Sequence, residues 1–361
     1  MARTAAARRP HLHDRFPALV STLPYLPLGQ APTPVVRLPG VAPGLSLWCK
    51  DESGYGDGGW GGNKVRKLEW LLPDARRRGA RTLLTVGGTG TNWGLAAALY
   101  AREQGMATAL ALVDQPVDDH VRAQLGRLRR SGATLHFTRS KLRTMATAPW
   151  LFLRHTTAGR PPHYLPAGGS TPVGTLGSVE VALELAAQIA AGALPEPSHL
   201  VTAVGSGGTA AGLSLGLHLA GLRTRVVGVV VNDTLRLDPP TVAGLAHKAV
   251  RVLRSHGADL PPVHIGPERL TLVRRWLGPG YGHPTPEALR VQRLAADTMS
   301  LALEPVYTAK AMAALLALAA DGHLRPGPVL FLHTHGPRPR PADPVCADTA
   351  PIPPHTAPPA P

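Results

Sequence analysis

The stretch Gly61-Gly62-Asn63-Lys64-Val65-Arg66-Lys67-Leu68-Glu69-Trp70 sets a lysine at the mouth of a glycine turn, directly before a helix. The chain holds only six lysines (Lys50, Lys64, Lys67, Lys141, Lys248, Lys310) among 38 lysines and arginines, yet two fall within four residues here. An amine can lose its proton and condense with a carbonyl, whereas a guanidinium stays charged and is a poor nucleophile. Lys64 is therefore the candidate reactive group. Arg66 and Lys67 read as part of a solvated helix face, and Asn63 as the start signal of that helix.

A second chemical signal lies at Val201 to Thr209, where an apolar strand runs into Gly205-Ser206-Gly207-Gly208-Thr209 and opens onto a helix. Such a turn exposes successive backbone N–H groups at the positive end of a helix dipole, a setting that suits a phosphate. It lacks the Gly-Lys-Ser/Thr of a nucleoside triphosphate loop. Gly205, Gly207 and Ala210 satisfy the looser dinucleotide pattern, with Asp233 beyond the next strand, so an NAD(P)-dependent oxidoreductase stands as a rival. A bare strand-to-helix turn is the plainer alternative. A reactive lysine combined with a phosphate cup points instead to pyridoxal phosphate, whose aldehyde needs an amine and whose phosphate needs an anion site.

The elements that must position these groups follow an α/β pattern. Thr82 to Val86 reads as a strand, Gly87-Gly88-Thr89-Gly90-Thr91-Asn92 as a turn, and Trp93 to Glu103 as a helix; similar units follow at 107–138 and 199–231. Alternation of this kind implies open parallel-type sheets flanked by helices. Leu45 to Lys50, Val179 to Ala191, Thr241 to His256, Pro286 to Ser300, Lys310 to Asp321 and Pro328 to His333 complete the pattern, while 142–160 is hard to assign, its apolar residues allowing a connecting helix. The seven prolines between Phe16 and Pro43 exclude a long helix there.

Length, at 361 residues, allows two domains. The formal net charge of +15 raises nucleic acid as a partner, but the arginines are scattered and no binding module is present, so none is expected. Two cysteines, Cys49 and Cys346, form no disulfide framework, which favours a cytoplasmic setting. The sixteen histidines contain no His-x-x-x-His pair, so no metal site is expected. No uninterrupted apolar run is long enough for a membrane span.

The lysine stretch resembles the signature of the D-cysteine desulfhydrase and 1-aminocyclopropane-1-carboxylate deaminase family, pyridoxal phosphate enzymes with the tryptophan-synthase-β type of fold (fold type II). The resemblance extends over about residues 16 to 336. It includes Phe16 through Thr33-Pro34, Leu47 to Glu52, Gly168 to Gly174, Gly205 to Thr209, Gly280-Tyr281-Gly282, Glu304 to Met312 and Phe331 to Thr334, in the family's order. It implies a large cofactor-binding domain at 16–78 and 167–336 and a small α/β domain at 79–166; composition alone reads 1–15 as a basic disordered arm and 337–361 as a Pro-rich disordered tail.

The resemblance also assigns roles. Lys64 would bind the cofactor's aldehyde and move the substrate's α-proton; Gly205, Ser206, Gly207, Gly208 and Thr209 would hold the phosphate. Asn92 would meet the ring oxygen, Thr91 would stand near the substrate carboxylate, Tyr281 and Tyr307 would line the substrate side, and Thr334 would meet the pyridine nitrogen. In isolation, Asn92 reads as a helix cap and the tyrosines as half-buried aromatics. The implied activity is α,β-elimination from a small amino acid of the D-cysteine type, by a homodimer. Threonine at Thr308 is similar to the desulfhydrase side of the family; the cyclopropane deaminase activity, or a cofactor-binding homologue with altered activity, are the related alternatives. Departures fall at Trp93, at Gly177-Ser178, at Met299-Ser300 and at His335, where the family has a polar side chain, a tyrosine, a Glu-Gly pair and glycine.

Overall fold

A computed structural model describes residues 9–39, 44–56, 60–324 and 327–335. In chain order the elements begin with α1 (His11–Arg15), α2 (Leu19–Thr22), β1 (Val35–Arg37), β2 (Leu47–Asp51) and α3 (Asn63–Arg77). Next come β3 (Thr82–Gly88), α4 (Asn92–Glu103), β4 (Ala107–Val113), α5 (Asp119–Arg130), β5 (Thr134–Arg139), α6 (Lys141–Arg154) and β6 (His163–Leu165). After a 3-10 turn at Ala167–Gly169 follow α7 (Pro172–Ala190), β7 (His199–Val204), α8 (Gly208–Leu219), β8 (Arg225–Val230), α9 (Pro239–Ser255), β9 (Leu270–Val273), α10 (Pro286–Met299), α11 (Thr308–Ala320) and β10 (Val329–His333).

Two sheets result. The larger has the order β1-β2-β10-β7-β8-β9, parallel except for β1 against β2, and the smaller has the order β5-β4-β3-β6, parallel throughout. The near-continuous Val/Ala/Leu runs of β4, β7, β8 and β10 are what a strand covered on both faces requires. Three strands are too short to read from the sequence: β1, β6 between Pro162 and Pro166, and β9 between Arg269 and Arg274.

Three expectations are corrected here. The described part of the amino-terminal arm is ordered: α1 buries Leu12 completely, and the amides of His11 and Leu12 donate to Glu180 at 2.9 and 2.7 Å. Residues 1–8 and 336–361, including the proposed tail and Cys346, lie outside the described residues.

Helix α7 starts seven residues earlier than Val179. Thr171 accepts from the Gly174 amide at 2.9 Å and Pro172 occupies the first turn, a regular start signal. Its Gly174 and Gly177 are packing devices: a Cβ on Gly177 would strike the Arg66 backbone, and Gly212 and Gly216 of α8 lie just as close to α7. Alpha-helix crossings this tight need glycine. Helix α7 is long and apolar enough to cross a membrane by length and composition, but Glu180 and Glu184 interrupt its apolar run and most of it is buried inside the molecule.

Arg66 and Lys67 are not solvated. Both are fully buried, because α3 is covered by α7 on one side and α4 on the other. Arg66 sits 3.6 Å over the Tyr55 ring and pairs with Glu52 at 2.9 Å and Glu184 at 2.9 Å; Lys50 of β2 pairs with the same Glu184 at 2.7 Å. Glu184 also accepts from the Thr33 amide at 2.7 Å, so one carboxylate ties the proline-rich segment, β2, α3 and α7 together. The connecting helix allowed over 142–160 is α6, which begins at Lys141 and continues through Pro149.

Candidate active site

Lys64 lies in the first turn of α3, after Gly62 at φ +103°, a backbone conformation that favours glycine. Its Nζ donates to Asn63 Oδ1 at 3.2 Å. The Asn63 side chain does not cap its own helix. Instead its Nδ2 donates to Thr209 Oγ1 at 3.1 Å, while its backbone amide donates to the Thr334 carbonyl at 3.2 Å. One residue thus joins the lysine turn, the glycine loop and the end of β10. Burial lowers the Lys64 pKa to about 8, so a substantial neutral, nucleophilic fraction exists near neutral pH.

The glycine loop bends through Gly207 at φ +86° into α8. Among the described residues, no acceptor faces the amides of Ser206, Gly207 and Thr209, while Gly208 N donates to Ser170 Oγ at 3.1 Å. Ser170 Oγ also lies 2.8 Å from Ser206 Oγ. Lys67 Nζ donates to the Gly168 carbonyl at 3.0 Å and to Ser170 Oγ at 3.3 Å, which sets a second amine against the cup. Burial and the neighbouring Lys64 hold the Lys67 pKa well below the usual lysine value. Sequence reasoning missed Lys67 and Ser170. The available signal was the three-residue spacing, which puts Lys64 and Lys67 on neighbouring positions of one helix face.

Tyr307 packs its ring against Gly205, where an added Cβ would stand 2.7 Å from Cε1. Its hydroxyl donates to that of Tyr281 at 2.8 Å, and the rings meet edge to face at 6.1 Å. Burial raises both phenol pKa values, so both stay protonated. Beneath them the Glu304 carboxyl accepts from the Val306 and Tyr307 amides at 2.7 and 2.8 Å, with its pKa raised by burial to about 7. Thr308 is buried, and its hydroxyl accepts from the Glu304 amide at 2.7 Å, so its influence runs through the seating of Tyr307.

Thr91 and Asn92 stand at the start of α4, just beyond the end of β3. Thr91, not Asn92, is the cap of α4: its hydroxyl accepts from the Gly94 amide at 3.1 Å. Asn92 Oδ1 accepts from the buried Gln124 Nε2 at 2.8 Å, which leaves its Nδ2 directed toward His335 Nδ1 at 3.4 Å. Burial first, then the charges of His120, His333 and Lys64, push the His335 pKa down to about 3, so this imidazole is neutral. His333 is buried, with Nδ1 3.2 Å from Asp51.

Two departures stay out of the site. The Trp93 indole is buried, donating to Thr85 Oγ1 at 2.8 Å and lying flush against Gly169. Met299 is buried too, and Ser300 ends α10 at φ +51°, a conformation glycine adopts more readily. A hydrogen-bonded and packed series therefore connects Lys64, Asn63, Thr209, Ser206, Gly205, Tyr307 and Tyr281, and a second joins Asn92 to His335 beside Thr334.

An amine of lowered pKa, a helix terminus with unmatched amides, a second amine at that terminus and an aromatic wall fit pyridoxal phosphate. Comparison with known proteins agrees. Residues 26–335 match the family described as "Pyridoxal-phosphate dependent enzyme". The chain is similar to D-cysteine desulfhydrase of Klebsiella pneumoniae (strain 342), with 34% identity over 326 residues, 88% of this chain and 95% of the relative. A protein of the same name from Salmonella paratyphi A is 32% identical over the same shares. A crystal structure titled as an ACC deaminase homologue superposes with TM-score 0.75 at 29% identity, covering 92% of this chain and 96% of that one. O-ureido-L-serine synthase, at TM-score 0.58 and 20% identity over 86% and 90%, shares the fold. The chain belongs to the pyridoxal-phosphate dependent enzyme family.

Proposed function

We propose that this pyridoxal phosphate enzyme is a deaminating lyase that carries out α,β-elimination on a small amino acid of the D-cysteine type. The observation that carries the reading is the 34% identity, over nearly the whole length of both chains, to a protein named D-cysteine desulfhydrase. The half-buried Lys64 amine of lowered pKa beside the glycine loop supports it.

When bound, the cofactor supplies an electron sink conjugated to the substrate's Cα. The amides of Ser206, Gly207 and Thr209, together with Lys67, would hold its phosphate, and Lys64 its aldehyde carbon. Asn92, fixed by Gln124, would meet the ring oxygen, and Thr334 the pyridine nitrogen. The Lys64 amine, whose pKa is lowered to about 8, would then serve as the base that takes the proton from the substrate's Cα. The net reaction would take one water and give pyruvate, ammonia and sulfide, the sulfur carrying away the electron pair of the Cβ–S bond. Tyr281 and Tyr307, both protonated, stand on the substrate side and can hydrogen-bond the departing sulfur. Thr91 is read near the substrate carboxylate, through the backbone of the loop it caps.

The proposal includes residues 79–166 as a small α/β unit opposite the rest of the chain, a homodimeric assembly, and a cytoplasmic setting, the last supported by the low cysteine content. Activity as a 1-aminocyclopropane-1-carboxylate deaminase is the second reading, favoured by the solved ACC deaminase homologue.

Purified holoenzyme is expected to release sulfide and pyruvate from D-cysteine. Release of 2-oxobutanoate from the cyclopropane amino acid, without sulfide from cysteine, would exchange the two readings. Borohydride reduction followed by peptide mapping is expected to fix the cofactor on Lys64. Lys64→Ala should keep the fold and lose at least about a thousandfold in elimination rate; an undiminished rate removes the lysine from its role.

A further inference from the structure

Helix α6 turns one face to the smaller sheet and another to solvent. The inner face is fixed: Leu151 is buried with Leu84, Ala109 and Ala111, Thr144 Oγ1 meets Thr138 Oγ1 at 2.6 Å, and His155 Nε2 meets His136 Nε2 at 2.8 Å. The outer face is apolar instead of polar. Leu142, Met145, Trp150 and Leu153 are 77%, 64%, 52% and 77% exposed, and Ala146 and Pro149 between them are exposed as well. The spacing 142, 146, 149, 153 alternates four and three residues, the seam of a helix that packs on another helix.

Two features select the partner. At those exposures the four large side chains present on the order of 500 Å² of apolar surface, close to the apolar share of the roughly 800 Å² that each side buries in a standard interface. The apolar positions are also placed symmetrically along the stripe. Reversed about its midpoint, Leu142 falls opposite Leu153, Met145 opposite Trp150, and Ala146 opposite Pro149. A two-fold axis requires that self-complementarity, since each residue then meets its counterpart twice.

We infer that the outer face of α6 packs antiparallel against the same face of a second copy of this chain. The inference rests on the homodimer reading and places its interface. The same register sets Lys141 against the second copy's Arg154 at both ends of the contact, so like charges meet at the rim. Salt screens such pairs, and association should tighten as ionic strength rises. An acidic protein partner or an anionic membrane would behave in the opposite way.

The test is sedimentation of the holoenzyme at low and high salt, for wild type, for Leu142→Asp/Leu153→Asp and for Lys141→Glu, with cofactor absorbance as the check on folding. A wild-type dimer that tightens with salt supports the inference. So do a monomeric, cofactor-bound double variant and several-fold tighter association of Lys141→Glu, which converts two repulsive pairs into attractive ones. A dimer unchanged by the double variant, or loosened by Lys141→Glu, overturns the placement and leaves the homodimer reading intact. A wild-type monomer at all salt concentrations overturns both. Should the double variant lose its cofactor, the salt response of wild type and the direction of the Lys141→Glu effect still decide.

Discussion

Two lysines three residues apart lie at the centre of the proposed site, and burial has moved both toward the neutral form. For Lys64 the folded pKa of about 8 stands below the ordinary lysine value. The sign follows from the charged form being disfavoured in the fold. This group's contribution to the stability of the cofactor-free protein improves as pH rises from about 8 toward about 10.5, and its nucleophilic fraction grows through the lower end of that range. Capture of pyridoxal phosphate by the cofactor-free enzyme, followed by stopped-flow absorbance, should therefore accelerate with a midpoint near pH 8. A midpoint near 10.5 would mean that the amine is hydrated.

Lys67 has a different task. Held by the Gly168 carbonyl and Ser170, it presents an N–H donor where the loop amides converge, and a phosphate bound there would favour its charged form. Lys67→Met should weaken cofactor affinity by roughly ten- to a hundredfold, the loss of one charge-assisted contact to phosphate, with little change in the rate at saturating cofactor. Equilibrium titration of cofactor fluorescence measures the first quantity. An unchanged affinity would return Lys67 to a purely structural role.

At the scale of elements, the first helix decides how the amino-terminal segment is understood. A short helix of five residues has little intrinsic stability. It persists because Leu12 is wholly buried with Leu19, Leu23 and Trp70 in the main core, and because Glu180 accepts its first amides. Leu12→Ala should then cost about 2–5 kcal/mol of unfolding free energy, the range for a buried leucine truncated in a packed core. A loose arm would show no change in urea denaturation. The glycines of α7 and α8 belong to this scale as well. Gly177, Gly212 and Gly216 lie where the three helices α3, α7 and α8 approach most closely, so the lysine helix is held by backbone contact as well as by side-chain packing.

At the scale of the whole molecule, the buried set of Lys50, Glu52, Arg66 and Glu184 joins segments more than a hundred residues apart in sequence. Burial alone would raise the Glu184 pKa, but Arg66 and Lys50 outweigh it and hold the carboxyl at about 2. A depressed carboxyl contributes stability that is present above its unfolded value, near 4.5, and lost as pH falls from there toward 2. Acid unfolding should begin in that window. Glu184→Gln should flatten the window while lowering stability at neutral pH by roughly 3–5 kcal/mol, since it leaves buried cations without their partner. Calorimetry between pH 2 and 7 on both proteins checks the two effects together.

The sequence by itself determined the alternation of strand and helix, the open parallel-type sheets, and the cofactor. These rest on local signals: apolar strands bounded by glycine, a lysine beside a glycine turn, and a glycine loop opening onto a helix. The boundaries of β7 and the course of α4 follow from such signals to within a residue. Tertiary structure decided what depends on partners remote in the chain. Asn63 looks like a helix cap until Thr209, 146 residues later, is placed beside it. Arg66 and Lys67 look solvated because nothing within a helical turn of either discloses that α7 and the 168–170 turn will cover them. Trp93 occupies a position that local comparison assigns to the pocket, yet its indole turns to Thr85 and Gly169. Charge and aromatic character are properties of a residue type and can be read in one dimension, but burial is a property of what arrives from elsewhere, and only the folded chain supplies it.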